Sequence, residues 1–131
     1  MKLHKLMYFA QRESLIQRDT PLFAATFYGW RFGPVIKELR SVYRDDKFPQ
    51  SIPQDTVQRI KPVMDIIFED YAERDSFHLS RLTHGEISWK KSRTGIPPSA
   101  AGGNAIALDD IRLDANRMKE RRAMLDKLNL L

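Results

Sequence analysis

The sequence contains no cysteine. That excludes a disulfide scaffold, a thiolate metal site and a cysteine nucleophile, and it fits a reducing compartment. No apolar run approaches the ~20 residues that a membrane span requires, and no secretory signal is recognisable; His4 and Lys5 interrupt the apolar opening residues. The expected location is the cytoplasm, away from membranes. Internal repeats and low-complexity segments are lacking. So are HExxH, GxSxG, GxGxxG and the phosphate-loop signature, the short patterns that announce metal, acyl-transfer or nucleotide chemistry. Neither sign of charge dominates: 22 basic and 17 acidic side chains leave a net charge of +5. The excess lies in residues 76–131, which carry ten basic and six acidic side chains. This keeps nucleic-acid binding open without demanding it.

What is present is 131 residues of ordinary globular composition, 42% hydrophobic and 30% charged. Such a chain forms one domain and buries about two thirds of its unfolded surface. Residues 2–18 read as a helix, with Leu3, Leu6, Met7 and Ala10 at helical spacing and Tyr8 and Phe9 on other faces. A helix apolar over most of its circumference belongs in the centre of a bundle. Asp19-Thr20-Pro21 is a turn, and residues 23–32 have the β-type composition of an extended segment or one short strand. Gly33 as N-cap and Pro34 in the first helical position open a helix over 34–45, with its stripe on Val35, Ile36, Leu39, Val42 and Tyr43. After a proline-bearing loop at 48–53, Asp55 caps a helix over 55–74. Its apolar face is Val57, Ile60, Met64, Ile67, Phe68 and Tyr71, and Pro62 kinks or splits it. Ser76 caps a short helix ending at Gly85, and residues 87–93 add one or two turns. Residues 94–104 are a flexible loop by their glycines and prolines. Asp109 or Asp110 starts a last helix to about Lys127, whose stripe of Ile111, Ala115, Met118, Leu125 and Leu128 is interrupted by Arg122. The fold class is mainly α: a single-domain helical bundle with at most a small β element.

Candidate chemistry is sparse. His84 beside Glu86 could serve acid–base work or hold a metal, but His4 and His78 have no spacing to it that completes a site. The plainer reading is a histidine bonding the last carbonyls of its helix. Gly29 and Gly33 around Trp30 read as close packing and a helix cap rather than a phosphate cradle. The mixed charges of the last helix read as a solvated face, and no helix-turn-helix is visible. The aromatics Phe27, Tyr28, Trp30 and Phe32 fit core packing or an interface equally by composition. No cofactor, metal site or catalytic group is expected.

Four segments in order carry a resemblance. They are LHKLMYFAQ (3–11), PLF (21–23), FYGWRFGPVIKELRSVY (27–43) and LSRLTHGEISWKKSR (79–93). Together they resemble the Panacea domain, the SocA-like antitoxin family, also labelled phage-associated protein of the GepA type. Its pattern is matched by Leu3, Lys5, Leu6, Tyr8, Ala10 and Gln11; by Pro21, Leu22 and Phe23; by Trp30, Gly33, Pro34 and Val35; and by Leu82, Thr83, His84, Trp89 and Arg93. The likeness covers about residues 2–115. The family pattern has a further helix ahead of the first matched one, without counterpart here, and a proline where this sequence has Ser88. The helix over 108–131 reads as an accessory to the domain. The resemblance implies an antitoxin that neutralises a cognate protein toxin by direct binding and is no enzyme. A protease, to which such an adaptor delivers its toxin, or a second copy of the chain are further implied partners. The alternative is a nucleic-acid-binding regulator using the basic second half. Tyr8, Trp30, Phe32, His84, Trp89 and Arg93 are the residues expected to act as partner contacts or as scaffold. For Trp30 and Trp89 the favoured place is the core.

Overall fold

A computed structural model describes residues 2–49 and 51–130; Gln50, within the loop expected at 48–53, lies outside them. Six helices and one hairpin follow in the order α1 (Lys2–Arg18), β1 (Phe27–Trp30), β2 (Gly33–Ile36), α2 (Lys37–Asp45), α3 (Gln54–Asp70), α4 (Ser76–His84), α5 (Ile87–Ser92) and α6 (Leu108–Lys127). The mainly α expectation holds, and the β element is a two-stranded antiparallel sheet. Among the described residues no helix is long and apolar enough to cross a membrane.

α1 is the central helix, packed by α6, α3, α4 and the hairpin. Tyr8, Phe9, Ala10 and Leu15 join Phe27, Ile36, Val63, Ile67, Tyr71, Leu79, Ile106, Ile111 and Ala115 in the core. Phe9 and Tyr71 stack with ring centroids 4.5 Å apart, and Phe27 meets Tyr8 edge-on at 5.7 Å. Each buried aromatic of this kind contributes on the order of 2–3 kcal/mol from the area it removes from water. The rest of what α1 buries is polar: His4, Lys5, Gln11, Arg12, Glu13 and Ser14 are all under 5% exposed. Buried polar groups require partners. Gln11 accepts from the backbone N–H of Leu22 and Phe23 and donates to the Phe23 carbonyl, fixing the turn at 21–23. Ser14 donates to the Thr20 carbonyl. Glu13 takes a two-pronged ion pair from Arg122 at 2.7 and 3.0 Å. The arginine interrupting the apolar stripe of α6 is thus the partner of a carboxylate on the central helix.

Several boundaries differ from the sequence reading. Gly33-Pro34 does not start a helix. Gly33 has φ +131°, which only glycine adopts without strain, and it lets the chain turn at Arg31-Phe32 and pair back, Trp30 opposite Gly33 and Phe27 opposite Ile36. Helix α2 begins only at Lys37 and has no fully buried residue, although Leu39 packs partly buried against the core. Its expected stripe is broken because Val35 and Ile36 belong to a strand. Asp55 does not cap α3: Pro53 precedes the helix, and the Asp55 carboxylate accepts from Thr56 N–H inside the first turn. Pro62 does not split α3, which runs through it. Pro62 lies on the solvent side, where water can satisfy the carbonyl it leaves unbonded. Phe68 also faces solvent, its place on the buried face taken by Val63. Asp75 rather than Ser76 caps α4, accepting from His78 N–H at 2.7 Å. α6 starts at Leu108, one residue ahead of the first aspartate expected to begin it, and Leu128 lies exposed beyond its end.

Candidate functional site

The hairpin carries Trp30 and Phe32, two of the six residues expected to act as contacts or scaffold, and three features hold it rigid. The first is a third edge. Residues 101–106 run alongside β1, with Ile106 N–H donating to Phe27, Gly29 N–H to Asn104 and Arg31 N–H to Ala101 at 2.7–2.9 Å. The second is a glycine crossing. A methyl group on Gly29 would sit 1.8 Å from Ser92 Oγ, and one on Gly103 would sit 1.9 Å from the Gly29 carbonyl oxygen. The third is Arg93, buried at the end of α5. Its Nη1 donates to the carbonyls of Gly29 (2.9 Å) and Gly102 (3.1 Å), and its Nη2 to those of Pro97 (3.1 Å) and Ala100 (2.8 Å). The glycine- and proline-rich segment 94–104 is therefore no flexible connection. One guanidinium gathers its carbonyls and ties them to β1.

Around this frame the aromatics stack outward. Trp89 Nε1 donates to the Trp30 carbonyl at 2.9 Å. The His84 ring lies flat on Trp89, centroids 4.0 Å apart and planes 13° from parallel. Arg93 covers Trp89, Arg40 covers Trp30 and Arg31 covers Phe32, at 4.8–5.6 Å from the ring centroids. Trp30 and Trp89 are half-buried and stand outside the core cluster, which corrects their expected place. Of the aromatic run only Phe27 plugs the bundle. His84 does not bond the carbonyls of its own helix end: its ring packs on Trp89, its Nε2 is buried without a partner, and burial lowers its pKa. His84 and Glu86 line different cavities. Five of the six expected residues thus form one cluster: Trp30, Phe32, His84, Trp89 and Arg93. Tyr8 is apart from them, fully buried in a polar network with Ser88 and Asp114.

The outer surface of the cluster is an aromatic face in a cationic rim. Phe32 at the hairpin tip is 64% exposed and Phe77 on α4 is 82% exposed. Ser80 Oγ donates to the Phe32 carbonyl and so joins the two supports. Phe32 and Phe77 border a cavity of about 460 Å3, and Phe32 borders a second of about 240 Å3 beneath Trp30. The charged groups lining the two are Lys5, Arg31, Arg40 and Arg81; among the described residues no carboxylate lines either. Exposed phenylalanines gain nothing from water, and this pair is held at fixed positions by a hairpin and a helix.

The sequence reading misses a second polar centre, at the junction of α1, α5 and α6. Asp114 accepts from the backbone N–H of Ile87 (2.8 Å) and Ser88 (2.9 Å) and from the Tyr8 hydroxyl (3.3 Å), so a carboxylate on α6 caps the start of α5. The buried Arg12 guanidinium pairs with Glu86 and donates to the Tyr71 hydroxyl at 2.6 Å. Burial pushes the Glu86 carboxyl up to about 7, Arg12 pulling against the rise and Asp114 adding to it. Among the described residues no cluster of three or more His, Asp or Glu is gathered as a metal would require.

Residues 3–90, about two thirds of the chain, match the family model described as antitoxin SocA-like, Panacea domain. The chain belongs to that family. No curated protein and no solved structure matches it. The Panacea match takes in α1, the hairpin, α2 to α4 and most of α5, and so includes Tyr8, Trp30, Phe32, His84 and Trp89. Arg93, the 94–106 segment that it gathers, and α6 follow the matched stretch.

Proposed function

We propose that this Panacea protein is an antitoxin that acts in the cytoplasm by holding a cognate protein toxin in direct contact, and that the toxin seats on the Phe32–Phe77 face. The observation that carries the reading is the pair of exposed phenylalanines on a braced support. Aromatic anchors with arginine neighbours are the side chains that dominate binding energy at protein interfaces. A stable complex would extend from this centre over about 1,200–2,000 Å2 in total. Family membership supports the antitoxin role, and the cations Lys5, Arg31, Arg40 and Arg81 that line the two cavities favour an acidic rim on the toxin's matching surface. The reading is not enzymatic: the histidine–carboxylate pair weighed in the sequence, His84 with Glu86, is divided between two cavities.

The test is co-expression of this chain with the product of the adjacent open reading frame. The expected result is that the neighbour alone arrests growth, that co-expression restores growth, and that the two proteins co-purify. A harmless neighbour, or rescue without a complex, would sink the direct-contact reading.

A further inference from the structure

The arginines of this protein are nearly all occupied. Arg12, Arg44, Arg112 and Arg122 are in ion pairs, Arg18, Arg59, Arg74 and Arg93 donate to carbonyls, and Arg31 and Arg40 cover aromatic rings. Of the described arginines only Arg81, Arg117 and Arg121 have no hydrogen bond, ion pair or ring contact. All three border the same cavity, about 420 Å3 between α1, α4 and α6, on whose wall Arg12 also lies. Arg117 and Arg121 are one helical turn apart, where like charges repel by a few tenths of a kcal/mol, and Arg81 adds a third charge from α4. Chance does not favour that arrangement, because each arginine elsewhere has found a partner.

The two carboxylates of the cavity do not neutralise this rim. Glu86 is committed to Arg12, and Asp114 to two backbone N–H groups and a phenol. The Nε of Arg12 is buried and has no acceptor. Leu82 and Met118 supply an apolar wall. Guanidinium forks match the paired oxygens of a phosphate in geometry as well as charge, and the volume falls within the range of small-molecule sites.

We propose that this cavity is a binding site for a small phosphorylated molecule, its phosphate held by Arg81, Arg117 and Arg121 and its less polar part against Leu82 and Met118. The site is independent of the toxin-docking reading, although Arg81 borders both surfaces. A phosphate held there would bridge α4 to α6. A concave site with convergent arginines suits a compact ligand better than a nucleic-acid strand, which requires a track.

The test is calorimetric titration of the full chain with inorganic phosphate, pyrophosphate and adenosine monophosphate at low salt, repeated with R117Q/R121Q. Both side chains are exposed and unpaired, so the double variant should melt with the wild type. The expected result is saturable binding of at least one probe, weakened at least tenfold in R117Q/R121Q and unchanged in R31Q on the aromatic face. No saturable binding by any probe, or binding that R117Q/R121Q leaves intact, would overturn the proposal. So would binding confined to a single-stranded oligonucleotide with a steep salt dependence, which would make the arginines part of a nucleic-acid surface.

Discussion

Replacing Arg93 with alanine is expected to destabilise the fold by about 3–5 kcal/mol, and Arg93→Lys should recover only a minor part of that loss. The guanidinium makes four hydrogen bonds to carbonyls from two places in the chain, Gly29 and residues 97–102, and charged donors contribute more per bond than neutral ones. Its removal leaves the buried Gly29 carbonyl without that donor and releases residues 97–102 from the edge of β1. A lysine ammonium is a point charge on a flexible stem and cannot span both pairs of carbonyls. The melting temperature should fall by roughly 10 °C or more. Wild-type stability in R93A would show that the guanidinium does not organise the loop.

The second large effect is a pH dependence that the wild type partly hides. His4 is buried and accepts the Ile36 N–H on Nδ1 at 3.1 Å, a bond that the doubly protonated ring cannot make. Burial, with the nearby charges of Lys5 and Arg40, lowers its pKa from 6.5 to about 4. The unfolded chain therefore takes up a proton that the folded chain refuses. The His4 contribution is present above pH 6.5 and is lost as pH falls towards 4, at ~1.4 kcal/mol per unit or about 3 kcal/mol in all. Glu86 runs the other way. Its carboxyl is raised from 4.5 to about 7, chiefly by burial, so the folded state holds a proton that the unfolded state releases. That contribution is present below pH 4.5 and is lost as pH rises through 7, again about 3 kcal/mol. Between pH 4.5 and 6.5 the two slopes oppose each other, with the lowered His84 adding to the His4 side.

Single variants separate them. E86Q should become more stable as pH rises from 4 to 6.5. His4→Asn, which offers an amide oxygen near the position of Nδ1, should become less stable from pH 4.5 to 7. Urea midpoints at four pH values measure both slopes, and variants with the wild-type slope would contradict the assignment.

How much of this was legible before the structure depends on where each signal resides. The bounds of α1 are local, and hydrophobic spacing finds them. The buried surface of α1 is not local. Arg12, Glu13 and Gln11 look solvated in sequence and become central only when Glu86, Arg122 and the 21–23 turn reach them. Arg122 is the one advance signal, since a charge within an apolar stripe asks for a buried partner. Gly33-Pro34 misleads because the same dipeptide suits a helix start and a hairpin return, and over two residues, Val35 and Ile36, strand and helix periods cannot be distinguished. Trp30, Phe32, His84, Trp89 and Arg93 are visible as separate motifs. Their convergence on one hairpin is tertiary, as is the link from Asp114 to the start of α5.

The division of labour around the hairpin is the central claim: Arg93 builds the support, and Phe32 with Phe77 makes the contact. Its most direct test is the affinity of the F32A/F77A variant for the proposed toxin, the neighbouring gene product whose growth arrest the wild type relieves, measured beside its melting temperature. Both side chains are mostly exposed, so the melting temperature should stay close to that of the wild type. Affinity should fall at least 100-fold, as expected for two central aromatic anchors. Undiminished affinity in a folded F32A/F77A variant would show that the toxin docks elsewhere.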